Sequence, residues 1–206
     1  SLASTFIPAH AAKLAVTKDV EIIFDSELHM SPCKRYSIPL RCRYNSTGLQ
    51  ESLLLQDVLQ RKGEAECSQV DWVIHLAHKI RKGEAIMSIV TSADIDAVVN
   101  HIFGLSLHLP RDEDGDFVNE VYVSLQKGAF QDIYHITAII RSLEKGFHSL
   151  QIGQKLGMVM CMAGNDYLPK FHSITHFSFV KIFCQYEDFQ QNLFDIESAT
   201  VNPETF

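Results

Sequence analysis

Ala85-Ile86-Met87-Ser88-Ile89-Val90-Thr91-Ser92-Ala93-Asp94-Ile95-Asp96 is the stretch on which the reading of the fold turns. Residues 85–90 are a short apolar run and predict a buried strand. Residues two apart on a strand share a face, so Asp94 and Asp96 are expected to point together off its carboxyl end. Carboxyl ends of parallel strands are where open α/β sheets bind ligands. A helix is predicted from Ala97 to Leu105, and the competing reading makes Asp94 its N-cap.

Two more acidic clusters flank this one. Gly63-Glu64-Ala65-Glu66 opens an amphipathic helix with Val70, Val73, Ile74, Ala77 and Ile80 on one side and Lys79, Arg81 and Lys82 near its end. The macrodipole favours acids in a first turn, which is the plainer account of Glu64 and Glu66. Gly164-Asn165-Asp166-Tyr167-Leu168-Pro169 follows a helix predicted over 149–163, with Gly164 as its C-terminal glycine. A turn-forming Asx role is the plainer account of Asp166. Each cluster stands where an element begins or ends, so Glu64, Glu66, Asp94, Asp96 and Asp166 can converge on one edge of a sheet. Carboxylates so gathered repel unless a cation holds them. Hard ions such as Mg²⁺ or Mn²⁺ take oxygen ligands, and two of them about 4 Å apart clamp a phosphodiester for in-line displacement.

Outward from these clusters, residues 1–18 are alanine-rich and predict a helix interrupted near Pro8, and residues 20–24 predict a strand ending at Asp25. A basic, proline-punctuated stretch carries Lys34, Arg35, Arg41 and Arg43 and ends in the turn signal Asn45-Ser46-Thr47-Gly48. Leu53, Leu54, Val58 and Leu59 predict a helix over 49–61. The acidic run 111–116 misses the EF-hand spacing and reads as a solvated loop. Alternation on both sides of Lys127-Gly128 predicts a β-hairpin over 118–136. Helices are predicted over 137–145 and 171–186, the latter aromatic, before an acidic tail from 187 to 206.

His75 with His78, and His172 with His176, have spacings that can share a metal but lack customary cysteine or carboxylate neighbours. They read as satisfied histidines. Trp72 and Phe103 sit at apolar helical positions and read as core rather than base-stacking groups. No nucleophile elbow or P-loop is present.

A length of 206 residues with 46% hydrophobic and 21% charged content suits one domain, 1–186, with 187–206 as its tail. The apolar stretches are too short to span a bilayer, and the first twenty residues lack a signal layout. Five cysteines without CxxC pairing read as reduced, mostly buried thiols of an intracellular protein, nuclear or cytoplasmic. The net charge of −7 argues against a general nucleic-acid coat, though bound metal would neutralise the clustered acids. The start at Ser1, in apolar sequence, reads as a piece of something longer.

In order, with a helix and a strand between them, Gly63-Glu64-Ala65-Glu66, Ala93-Asp94-Ile95-Asp96 and Gly164 to Pro169 resemble the motifs of the 5′-nuclease superfamily of PIN-like folds, closest to its 5′→3′ exoribonuclease branch. The resemblance covers roughly residues 63–169. It implies an α/β, three-layer PIN-like fold, with a mostly parallel central sheet flanked by helices. It implies a Mg²⁺- or Mn²⁺-dependent nuclease acting on RNA or DNA, with Glu64, Glu66, Asp94, Asp96 and Asp166 as ligands or acting through metal-bound water. Asp25 would be a further metal ligand, and Lys34, Arg35, Arg41 and Arg43 would receive the nucleic acid. The family's first strand, which carries another metal-binding aspartate, has no match before Val20. That absence keeps open an inactive PIN-like scaffold binding RNA or protein, or a regulatory domain using the aromatic C-terminal helix or tail.

Overall fold

The computed structural model describes residues 20–24, 28–31, 34–36, 40–45, 48–54, 65–164 and 175–186. The stretch 1–186, expected as one domain, lies in two compact units, 1–62 and 63–206. The predicted N-terminal helix and the acidic tail fall outside the described residues.

The first unit is antiparallel. Strands β1 (Val20–Phe24), β2 (Leu28–Ser31), β3 (Lys34–Tyr36), β4 (Leu40–Asn45) and β5 (Gly48–Leu54) form a β1-β4-β5 sheet and a separate β2-β3 pair. Asn45 pairs with Gly48, so the predicted turn closes the β4–β5 hairpin. The helix expected over 49–61 is instead a strand as far as Leu54. Leu40 pairs with Leu54 and Arg43 with Glu51, and these partners outweigh the weak helical spacing of four residues.

The second unit is α/β. It comprises α1 (Ala65–Ala77), β6 (Ile86–Ser92), α2 (Asp96–His108), β7 (Asn119–Lys127), β8 (Phe130–His135), α3 (Ile136–Phe147), α4 (Ile152–Met162) and α5 (His176–Gln185). β6 and β7 pair in parallel, Ile86 with Asn119 through Ser92 with Leu125, and α2 makes the crossover that a parallel pair needs. β8 folds back on β7 as the predicted hairpin, its turn eased by Gly128 at φ +63°.

One core holds the helices to the sheet. Val121, Val123 and Leu125 alternate along β7, fully buried, against Val70, Val73, Ala97, Val98, Leu105, Ile136 and Ile140. Outside it, Ile152, Val159 and Phe183 join α4 and α5 to the Leu143 and Phe147 end of α3. Among the described residues these helices cover one face of the sheet. The opposite face, where Ile89 lines up with Tyr122 and His135, exposes Ile89 and Ile133 by 62% and 64%.

β6 is not the buried strand that its apolar run predicts. Among the described residues it lies at the sheet's edge, and Val90 is its one buried residue. An apolar run carries no information on which neighbour will cover it.

Candidate functional site

The strand stops at Ser92, so Asp94 and Asp96 do not share a strand face. The chain turns there. The Asp94 amide donates to Ser92 Oγ (3.2 Å), and Asp94 Oδ1 accepts from the Asp96 amide (3.1 Å), the first residue of α2. The N-cap position is Ile95, without a side-chain cap, rather than Asp94; Asp94 instead closes an Asx turn just before it and still satisfies an amide left orphaned at the helix start. Both aspartates are exposed.

Glu66 lies in the first turn of α1 and is half-buried. Gln69 Nε2 donates to the Thr91 carbonyl (3.3 Å), which brings the start of α1 to the carboxyl end of β6. Deeper in, α1 and α2 touch so closely that a Cβ on Gly104 would stand 2.5 Å from Val70 Cγ1. One turn back on each helix are Glu66 and His101.

His101 is fully buried. Its Nδ1–H donates to the Ala97 carbonyl (2.6 Å), and Nε2 has no hydrogen-bond partner among the described residues. Burial drives this imidazole below its ordinary pKa, opposed by the Ala97 bond and by the Glu66 charge.

α4 crosses α2 in the opposite direction. A Cβ on Gly153 would meet Ser106, and one on Gly157 would meet Phe103. The α4 C-terminus therefore runs toward the start of α2. It ends at Gly164, whose φ of +98° suits a helix-terminating glycine, as expected. The first turn of α1, the β6–α2 corner and the exit of α4 thus share one edge of the unit.

Glu64, Asp166 and Asp25 lie outside the described residues. Among those described, no three His, Cys, Asp or Glu side chains are gathered closely enough to hold a metal ion. Glu66, Asp94 and Asp96 supply the hard oxygen donors that Mg²⁺ or Mn²⁺ takes, but one Asp94 oxygen already accepts from the Asp96 amide.

The basic residues occupy strands rather than a loop, Lys34 and Arg35 on β3 and Arg41 and Arg43 on β4. Arg43 is exposed. Residues 112–116 form the expected solvated loop, organised by Asp112 Oδ1, which accepts from the Asp114 and Asp116 amides (both 3.0 Å). Trp72 is half-buried, edge-on to His75, and Phe103 is half-buried beneath Gly157. Cys184 is exposed, contrary to the expectation of mostly buried thiols, while Cys67 is half-buried.

Periodicity did not reveal a cluster around Glu120. Arg141 meets Glu120 through Nη2–Oε1 (2.9 Å) and Nη1–Oε2 (3.1 Å) and reaches Asp116 through Nε (3.2 Å). Thr137 Oγ1 donates to Glu120 Oε2 (2.5 Å), and His135 Nε2 lies 2.7 Å from the same oxygen. Arg141 foremost, against burial and helped by Thr137 and His135, holds the Glu120 carboxyl down at about 2. His135 also stacks on Tyr122 at 4.2 Å. A glutamate next to Val121 on an alternating strand was the available signal, but its partners come from α3 and the end of β8. These bonds tie β7 to α3.

Comparison with protein-family models, with curated proteins and with solved structures finds no match for this chain.

Proposed function

We propose that the chain is a metal-dependent phosphodiester hydrolase of 5′-nuclease type, acting on RNA or DNA inside the cell, in nucleus or cytoplasm. The observation that carries this reading is the meeting of the Glu66 turn and the Asp94–Asp96 corner at one edge of the α/β unit, toward which α4 also runs. Gln69 ties the Glu66 turn to the end of β6, Asp94 and Asp96 stand at the next corner, and α4 exits toward the same edge before Asp166. A PIN-like arrangement is the finer form of the α/β fold that goes with this reading.

Glu66, Asp94 and Asp96, with Glu64 and Asp166, would hold Mg²⁺ or Mn²⁺. Such ions, when bound, activate water and stabilise the leaving oxygen of a phosphodiester. Glu66, Asp94 and Asp96 would supply anionic oxygens from helix starts, where the backbone favours negative charge. Lys34, Arg35, Arg41 and Arg43 are the basic groups of the first unit that would meet a phosphate backbone.

A second reading, an inactive scaffold for RNA or protein, draws on two observations. One Asp94 oxygen is committed to α2, and α5 exposes Phe177 and Tyr186 by 75% and 60%, a surface suited to a protein partner. Cleavage of 5′-phosphorylated single-stranded RNA and of a DNA flap, with Mg²⁺ or Mn²⁺, separates the two. Cleavage abolished by EDTA and by Asp94→Asn/Asp96→Asn supports the nuclease. Folded protein that neither cleaves nor binds Mn²⁺ leaves the scaffold.

A further inference from the structure

β6 is an edge strand with few of the devices that keep an edge single, the Thr91 carbonyl being taken by Gln69 of α1 (3.3 Å). The order β6-β7-β8 leaves one side of it unpaired among the described residues. Its seven residues, Ile86 to Ser92, contain no charge and no proline, and their pairing with β7 has no bulge. Charges, prolines and bulges are what ordinarily prevent edge-to-edge pairing. Met87 and Ile89 are exposed by 59% and 62%, and a cleft of about 640 Å³ separates the strand from α1.

The two ends of the strand differ in sign. Lys79, Arg81 and Lys82 precede it, with Glu84 the one acid among them, and Asp94 and Asp96 follow it. All are exposed. Lys82 meets Glu113 at 2.9 Å, but both side chains are almost wholly in solvent, where such a pair is weak and exchanges readily. A parallel partner strand of the same sequence would set like charges side by side. An antiparallel one sets the basic end of each against the acidic end of the other.

We propose that β6 pairs antiparallel with β6 of a second copy, about a two-fold axis near Ile89. The two three-stranded sheets then join into one of six strands. Lys82 of each copy, with Arg81 beside it, lies toward Asp96 of the other, and Glu84 lies toward Asp94, so each basic end keeps a net positive charge against a net negative one. The contact is isologous, so it closes at a dimer and does not propagate. It draws on Asp94 and Asp96, the aspartates that the nuclease reading gives to metal, but requires neither metal nor nucleic acid.

The test is sedimentation velocity, with light scattering, on the whole chain over a wide concentration range without metal. A concentration-dependent dimer is expected, weakened by salt. Ile89→Lys would bring two lysines together at the axis and weaken association by at least about tenfold. Arg81→Glu/Lys82→Glu, at exposed positions outside the core, would weaken it by about tenfold. Phe130→Ser, at the hairpin turn, would leave it unchanged. A monomer at every concentration, or a dimer indifferent to both charge variants, overturns the proposal.

Discussion

Arg141 holds Glu120 by both terminal nitrogens, at 2.9 and 3.1 Å, across 21 residues of chain, and so binds the middle helix of the second unit to its central strand. Bidentate pairs of this kind are the stronger class of charge-assisted bond, although here the glutamate keeps access to water.

Acid should loosen this tie within a defined window. The folded state holds the Glu120 carboxyl at about 2, against 4.5 for an unperturbed glutamate. The pair's stabilisation is therefore complete above 4.5 and lost as pH falls from there toward 2. Arg141→Met should lower stability at neutral pH by about 1–2 kcal/mol and flatten the acid limb, read from urea unfolding near neutrality and at about pH 3. An unchanged acid limb would show that other groups govern it.

His101 should make the protein less stable on mild acidification. Its folded pKa is depressed by burial, so below its ordinary 6.5 the unfolded chain binds the extra proton. Stability is complete above that value and declines as pH falls through it, by up to about 1.4 kcal/mol per pH unit. His101→Gln should flatten this slope between about pH 7.5 and 5.5, measured by denaturant titration.

Gly104→Ala tests the contact between α1 and α2. The new methyl would stand 2.5 Å from Val70 Cγ1, well inside van der Waals distance. Overpacking by one methyl costs about 1–3 kcal/mol, and adding Val70→Ala should recover much of the loss. Two additive losses in a urea double-mutant cycle would disprove direct contact.

Turn closure and metal binding by Asp94 can be separated by choice of substitution. Asp94→Asn keeps an oxygen for the Asp96 amide and should leave thermal stability nearly unchanged, while Asp94→Ala should cost about 1 kcal/mol. Under the nuclease reading, both should lose Mn²⁺ affinity. Equal affinity in all three proteins would limit Asp94 to the turn.

Legibility followed the range of the forces. The hairpin around Gly128, the helix end at Gly164 and the helices of the second unit were readable because alternation, apolar spacing and glycine conformation act within a few residues. The stretch 48–54 was misread because its strand character comes from pairing with Leu40 to Asn45, not from its own spacing. At the candidate site, the order of the acids was legible, but the turn that removes Asp94 and Asp96 from a strand face was not. That turn depends on two hydrogen bonds, from Asp94 to Ser92 and from Asp96 to Asp94.

By itself, then, the sequence determined the α/β character of residues 63–186, the solvated acidic loop and the acid-bearing corners, all consequences of local backbone preference and side-chain period. Tertiary structure alone decided that β6 is an edge, that the described helices cover one face, that Glu66 and His101 lie on adjoining turns, and that Glu120 is held by Arg141. Each of these depends on which distant segment arrives to bury a surface or answer a charge, and burial and pairing are properties of the neighbour as much as of the residue.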